Sequence, residues 1–419
     1  MIWILAFQSP LESVWGPLSY IDELVALFGA FLGLHDIVFV RRCRPSKDQL
    51  WMGIPLLIFV AIGLAGNLIY RYQPLKCVII DLYTNLKFFF AIGTGYYLFA
   101  NLSWEETRKI AQRNAAAIAG ILFVIFLVDQ VFHFWPSEVK YGIYSAKLFY
   151  YHPTYLAGAT AFLLMLLTVF YHKKNIPFIA MAVIMMAFTL RSKAIASAAM
   201  YVAMFVFFIV LKLHLKLWHV MVAGTGVFAI GWEKIRYYFI DNGDMMPRAI
   251  FLRTSFRIMQ DYLPIGTGFG TFGSAEAGEH YSMVYVKYGF NDHFYVRDVL
   301  NLENTVRLIQ NDENLMAVYL SNPRKYLYGQ SYLSDHFWPI IFGQGGYLGT
   351  AVFLFILAVL LKKCLSVVKH DLFAYVGVLY AFVFLLISSM AEPAFHNLVA
   401  IPLAVVMGMV FAHVDAQNK

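Results

Sequence analysis

The feature that most constrains this chain is a succession of apolar segments separated by short polar connections. A helix needs about 20 apolar residues to cross roughly 30 Å of hydrocarbon. Eleven segments approach that length, and we predict from them an all-α integral membrane protein with 11–12 transmembrane helices. They lie near 20–40, 50–70, 76–100, 115–135, 152–171, 175–190, 193–213, 216–232, 336–361, 372–390 and 393–413.

Residues 1–18 form an apolar segment that is interrupted by Pro10, Glu12 and Pro17. Proline removes a backbone donor, and the remaining apolar run is too short to cross a membrane without help. The segment lacks the charged start and small-residue cleavage site of a signal peptide, so we expect it to be retained. Whether it forms a twelfth, broken span stays open.

Composition excludes a soluble protein. Of the 419 residues, 60% are hydrophobic and 14% are charged, and the mean hydropathy is +0.64, so the chain has too few polar residues to coat a water-facing surface. The net charge of +7 does not indicate a nucleic-acid partner, because the basic residues lie in short clusters between apolar segments. The three cysteines form no CxxC pair, which argues against zinc or disulfide chemistry.

The basic residues occupy alternate connections, which the positive-inside rule predicts to be cytoplasmic. We therefore expect a multi-pass protein of a bacterial cytoplasmic membrane whose C-terminus is cytoplasmic. The residues are Arg41, Arg42, Arg44 and Lys47, then Arg108, Lys109 and Arg113, then Lys173 and Lys174, then Lys212 and Lys216, and finally Lys362, Lys363 and Lys369.

The same alternation places residues 233–335 outside the cytoplasm. Such a long connection is usually functional or disordered, and its many aromatic residues favour a folded segment. We predict an N-terminal transmembrane bundle at 1–232, an extracytoplasmic loop carrying active-site residues at 233–335, and C-terminal transmembrane helices at 336–419.

Two cations, Arg191 and Lys193, lie in a short connection on the predicted outer side, against the general charge trend. One interpretation is that they reach lipid phosphates at the membrane edge. The other is that they bind a diphosphate head group, since a guanidinium matches phosphate oxygens with two hydrogen bonds. Both interpretations stay open for Lys193, and we favour the second for Arg191.

Three arginines, Arg248, Arg253 and Arg257, fall on a predicted amphipathic helix at 247–261. They form either a solvated face or a second part of a substrate site. A glycine-rich run at 266–273 follows, and its context does not fit a dinucleotide-binding turn. We expect turns there whose open backbone N–H groups lie near a phosphate or a sugar.

Asp335 and His336 lie just before the ninth long apolar segment and are the best candidates for a general base. Alternatively, Asp335 caps the following helix. The neighbouring Phe337 and Trp338 are typical of an aromatic belt at a membrane surface.

Several motifs of this chain resemble those of the O-antigen polymerase and ligase family, and most closely the Wzy-type polymerases of capsule and exopolysaccharide. The resemblance implies a GT-C-like helical bundle and a metal-independent glycosyltransferase that needs no cofactor. The motifs are SYIDEL at 19–24, LRSK at 190–193, the stretch 248–273 with its DYLPIGTGFGTFGS core, Tyr281-Ser282, and SDHFWPIIFGQGGYLG at 334–349.

The resemblance also implies the substrates and partners. The donor would be a glycan on undecaprenyl diphosphate, and an incoming lipid-linked repeat unit would supply the acceptor hydroxyl. Arg191 and Arg248 match the family's diphosphate-binding arginines, with Lys193, Arg253 and Arg257 as further candidates. Membrane lipid, a chain-length regulator and a flippase are the other expected partners.

Two alternative functions remain. Ligases, which move finished glycan to lipid A core or another acceptor, usually carry a His-Asn pair where this chain has Asp335 and His336, and that difference favours the polymerase. A transporter or flippase for lipid-linked sugar would place ionisable residues in the centre of its spans. Asp22, Glu23, Asp81, Lys87 and Asp129 are the candidates for that role.

Overall fold

The computed structural model of the chain describes residues 2–40, 47–100, 102–140, 142–212, 232–233, 236–241, 247–279, 282–288 and 337–417. Of the predicted span at 216–232, only residue 232 is within these ranges. The two candidate bases, Asp335 and His336, and Tyr281 also lie outside the described residues.

Helices coincide with the other ten predicted spans, although several of them begin or end a few residues away from the apolar segment. Most turn back on the preceding helix after a short connection, so successive helices run in opposite directions. The long helices are α3 (Ile21–His35), α4 (Lys47–Tyr70), α5 (Leu75–Phe99), α6 (Trp104–Phe132), α7 (Pro153–Val169), α8 (Ile176–Phe188), α9 (Ser192–Met204), α13 (Trp338–Ser366), α14 (Leu372–Ser389) and α15 (Ala400–Gln417).

Within the described residues, seven helices are long and apolar enough to cross a membrane, and they indicate a multi-pass membrane protein. α5, α7 and α8 are not in that set; α7 and α8 have only 17 and 13 residues, and α5 carries the charged residues Lys76, Asp81 and Lys87. The seven are Gly16–Val40, Gln49–Tyr70, Trp104–Phe132, Ser192–Val210, Trp338–Lys369, Leu372–Ser389 and Ala400–Gln417.

The N-terminal segment, whose state the sequence left open, forms two short helices, α1 (Ile2–Ala6) and α2 (Gln8–Val14), followed by a 3₁₀ turn at Gly16–Tyr20. It is not a continuous span. The Tyr150 hydroxyl donates to the carbonyl of Ala6 at 2.9 Å, which ties α1 to the connection before α7.

The centre of the bundle is built from helices that are buried on nearly all sides, which are α7, α14 and α15. α15 packs closely on α5 because both helices have glycine at the contact. A Cβ atom added at Gly95 would lie 1.8 Å from the carbonyl oxygen of Val405, and one added at Gly408 would lie 1.9 Å from that of Ile92. Small residues allow this close approach of helix backbones in membrane proteins.

Part of the long connection folds against the bundle as three helices, α10 (Pro247–Asp261), α11 (Ala275–Glu279) and α12 (Met283–Lys287). α10 has the bounds that the sequence predicts. Phe256 of α10 stacks on Phe342 of α13, with ring centres 5.3 Å apart. Ile258, Phe272 and Tyr285 belong to a small apolar core shared by these helices.

The glycine-rich run between α10 and α11 inserts between α4, α5 and α13. The expectation of open N–H groups there is wrong, because these groups already have partners within the protein. Thr267 and Gly268 donate to the carbonyls of Gly343 and Gln344, Phe269 donates to Asn67 Oδ1 at 2.8 Å, and Gly270 donates to Asp81 Oδ2 at 2.8 Å.

Glycine is required where this run meets α13. Gly266 has a φ of 70° and Gly346 a φ of 59°, in the region that side-chain-bearing residues rarely adopt. The Gly346 backbone interrupts the helical geometry of α13. A Cβ atom added at Gly346 would lie 2.3 Å from the Gly266 nitrogen, so the two backbones touch at this point.

Candidate functional site

Arg191 lies at the end of the bundle where α6, α8 and α14 end and α7, α9 and α15 begin. It directly precedes α9, in an extended conformation that follows Leu190 with a positive φ of 50°. Its side chain is only 21% exposed. One guanidinium nitrogen contacts Glu138 Oε1 and His152 Nε2, each at 3.0 Å, whereas the buried Nε has no hydrogen-bond partner among the residues that the structure describes. Within that part of the chain, the guanidinium therefore keeps one unused donor.

Glu138 orients this guanidinium from a short hairpin between α6 and α7, whose strands are β1 (Val139–Lys140) and β2 (Ile143–Tyr144). The Lys140 ammonium contacts the other carboxylate oxygen of Glu138 at 2.9 Å. Burial raises the pKa of Glu138, but the hydrogen bond from Lys140 and the charge of Arg191 outweigh it and lower the pKa. Glu138 is therefore a stable carboxylate that holds two cations.

His152 is the residue before α7, and its Nδ1 accepts the backbone N–H of Thr154 at 3.2 Å. Burial, and after it the charge of the neighbouring Arg191, lower the pKa of His152 to about 4. Both ring nitrogens face N–H donors. A neutral imidazole carries one ring N–H and accepts only at its other nitrogen, and a second ring proton would also point at a donor. The imidazole is therefore neutral at neutral pH.

Lys193, the second residue of α9, forms an ion pair with Glu392. Both side chains are nearly buried, at 11% and 13% exposure. Glu392 lies in the connection between α14 and α15, so this pair joins α9 to two of the three helices at the centre of the bundle. The structure thus gives Lys193 a partner inside the protein and does not leave it facing lipid.

Arg248 begins α10 and is half-buried, and its charge acts on the Lys193 ammonium across the gap between α10 and α9. The structure therefore brings Arg191, Lys193 and Arg248 to one end of the bundle, as the diphosphate hypothesis requires. Arg253 and Arg257 belong to the same helix but have exposed side chains.

Among the residues that the structure describes, the cations of this cluster outnumber its carboxylates. The cations Arg191, Lys193 and Lys140 lie with two carboxylates, Glu138 and Glu392, while His152 is neutral. Excess positive charge in a partly buried site favours an anion.

Sequence reasoning missed His152, Glu138 and Glu392. The available signal was their position, because each lies in a connection on the predicted outer side, the same side as Arg191. Their partners, however, are 39, 53 and 199 residues away in the chain, and no spacing rule identifies such pairs.

A second polar cluster is buried between α2, α3 and α5. The Lys87 ammonium lies 3.0 Å from Asp22 Oδ2 and 3.6 Å from Glu23 Oε1, and Gln8 donates to the other oxygen of Asp22 at 2.9 Å. Asp22, Glu23 and Lys87 are three of the five ionisable residues that the transporter alternative names.

A buried chain of contacts continues from there along α5. Asn85 contacts Asp81 at 3.1 Å on one side and His396, in the connection before α15, at 3.2 Å on the other. Asp81 in turn receives the N–H of Gly270. The ionisable residues inside the bundle therefore bind one another and the glycine-rich run.

Among the residues that the structure describes, His, Cys, Asp and Glu form no group of three that could hold a metal ion. Comparisons with protein-family models, with curated proteins and with solved structures found no match to this chain.

Proposed function

We propose that the chain is a polysaccharide polymerase, which joins oligosaccharide repeat units carried on undecaprenyl diphosphate at the outer face of the membrane. The observation that carries this proposal is the convergence of Arg191, Lys193 and Arg248, together with an Arg191 Nε that has no hydrogen-bond partner among the described residues. The motif resemblance supplies the substrate class, and the excess positive charge suits a diphosphate.

In the proposed reaction, an acceptor hydroxyl oxygen attacks the anomeric carbon of the donor glycan. The bond between that carbon and the diphosphate oxygen breaks, and the lipid diphosphate leaves with the electron pair. Arg191 and Arg248 stabilise the charge that develops on it, since fixed donors in a partly buried site cost no reorganisation during the reaction. The hydroxyl proton passes to a base.

The cation cluster yields the first prediction. Arg191→Ala and Arg248→Ala should each abolish chain extension, because each variant lacks a positive charge that stabilises the leaving diphosphate. Removal of one such donor typically costs about 10²- to 10³-fold in rate. The measurement is the ladder of glycan lengths formed by purified protein from lipid-linked repeat units.

Arg257→Ala is the matched control, since it removes an exposed arginine from the same helix as Arg248. It should keep a normal ladder. Full extension by Arg191→Ala or by Arg248→Ala would remove that residue from the proposed diphosphate site.

The base yields the second prediction, and Asp335 and His336 remain the proposed residues. Replacement of the base should slow extension by about 10²- to 10⁴-fold. Asp335→Asn and His336→Ala separate the two, with the initial rate of repeat-unit consumption as the measurement. If neither variant is slower than wild type by more than about tenfold, the base is another group.

The same assay separates the ligase alternative. A polymerase lengthens the lipid-linked glycan repeatedly, whereas a ligase makes one transfer to a different acceptor. A single product band that appears only with that other acceptor would replace the polymerase proposal.

A lipid-linked sugar transporter is the second candidate, and the buried Lys87 and Asp22 pair is the observation that favours it. Reconstituted vesicles distinguish the two functions. Movement of a labelled lipid-linked sugar between leaflets, with no new glycosidic bond, would support transport.

A further inference from the structure

A cleft between α4 and α13 lies away from the cation cluster, on the outside of the bundle. Its volume is about 530 Å³, within the usual range for small-molecule sites of about 300–1,000 Å³. Leu50, Ile54 and Ile58 line it from α4, and Leu348 and Phe355 line it from α13. Nine of its ten lining residues are apolar, and the tenth is Lys47.

The cleft is closed at one end by a close contact of the two helices. A Cβ atom added at Gly349 of α13 would lie 3.5 Å from Ile62 of α4, and one added at Gly345 would lie 3.8 Å from Phe59. Towards Lys47 the helices leave the space that forms the cleft. It is therefore a tapered slot that opens near the start of α4.

The length of the slot matches one membrane leaflet. Lys47 and Ile58 are eleven residues apart on a helix, which at about 1.5 Å per residue gives roughly 17 Å. Half of the hydrocarbon thickness is about 15 Å. A chain lying in the slot would run from the membrane surface to the middle of the bilayer.

The open end of the slot is cationic and aromatic. Lys362 of α13 lies with its ammonium 5.8 Å from the centre of the Trp51 ring, and both Lys362 and Lys47 are exposed. Tryptophan at such a level is typical of the boundary between lipid head groups and hydrocarbon. Pro55 has no N–H group, so the carbonyl of Trp51 lacks its usual donor within the helix.

We propose that this slot binds one acyl chain of an anionic phospholipid, with the phosphate held between Lys47 and Lys362. Paired lysines select an anionic head group, and the apolar walls take the chain. The lipid-linked substrate is not the proposed occupant, because the cation cluster lies at the start of α9, at the opposite end of the bundle from the start of α4. The inference is thus independent of the proposed enzymatic function.

Trp51 provides the readout. The protein is reconstituted into phosphatidylcholine vesicles that contain an equal minor fraction of either brominated phosphatidylglycerol or brominated phosphatidylcholine. Bromine on the acyl chain quenches a nearby indole, and the difference between wild type and Trp51→Phe isolates the emission of Trp51. We expect brominated phosphatidylglycerol to reach a given degree of Trp51 quenching at a lower mole fraction than brominated phosphatidylcholine. The difference in mole fraction should be about fivefold for each lysine.

Variants distinguish lipid binding in the slot from a general attraction of anionic lipid to the positively charged protein. Lys47→Gln combined with Lys362→Gln should make the two lipids quench equally, and Ala351→Phe, which fills the slot, should do the same with both lysines intact. Lys369→Gln, an exposed lysine at the same end of α13, is the matched control and should keep the preference. Helical circular dichroism verifies that each variant is folded.

Two results would overturn the proposal. One is equal quenching of wild-type Trp51 by the two brominated lipids. The other is recovery of Trp51 emission when undecaprenyl phosphate is added in an amount equal to the protein, which would assign the slot to a substrate tail.

Discussion

At the scale of single residues, His152 shows how the site sets protonation. Burial and then the charge of Arg191 lower its pKa to about 4, whereas in the unfolded chain it is about 6.5. As the pH falls from 6.5 towards 4, the unfolded chain takes up a proton that the folded protein does not. The folded state therefore loses stability over that window as the pH falls.

The third prediction follows from this balance. Arg191→Gln should raise the pKa of His152, because the protonated imidazole would no longer be repelled by a neighbouring cation. The pKa should stay below 6.5, because His152 would still be buried. The measurement is an NMR titration of carbon-labelled histidine, with His152→Asn to assign the signal. Lys369→Gln should leave the titration unchanged. An unaltered pKa in Arg191→Gln would mean that the two side chains do not contact each other.

At the scale of elements, the glycine-rich run determines how the folded part of the long connection meets the bundle. Asn67 of α4 donates to the carbonyl of Phe269 at 2.9 Å and accepts its N–H at 2.8 Å. The Phe269 ring packs against Phe59, with centres 5.6 Å apart. Because α10 directly precedes this run in the chain, the position of Arg248 depends on it.

The fourth prediction is that Asn67→Ala lowers the free energy of unfolding by about 2–4 kcal/mol, since it leaves a partly buried N–H and C=O without partners. The measurement is unfolding by titration with denaturing detergent. Gln73→Ala is the control, because it removes a single long contact of 3.4 Å to Glu276, and it should cost less than about 1 kcal/mol. Equal stability of the two variants would contradict the proposed role of Asn67.

At the scale of the whole molecule, the alternation of helix directions places the residues of the cation cluster at one end of the bundle. It places the lysines at the open end of the slot at the other end. The cluster draws on the connections before α7, α9 and α15, all at the same end. Lys87 and Asp22 lie between α2, α3 and α5, and Asp81 of α5 faces the glycine-rich run; all three are matched by partners, as buried charges must be.

The fifth prediction concerns the sides of the membrane. In a variant whose three native cysteines are replaced by alanine, Tyr144→Cys in the β-hairpin should react with a membrane-impermeant maleimide in intact cells. Lys369→Cys should react only after the cells are permeabilised, because positive connections stay in the cytoplasm. The reverse pattern would place the cation cluster on the cytoplasmic side.

Hydropathy and charge by themselves determined the class of this protein and the positions of most of its helices. The reason is that each span must satisfy its own backbone hydrogen bonds in hydrocarbon, so its length and composition are local properties. The bounds of α10 and the candidate Arg191 also followed from local pattern. Only the tertiary structure decided that Arg191 contacts Glu138 and His152 and that the glycine-rich run fills the bundle. Those contacts join residues far apart in the chain, and helix packing determines them.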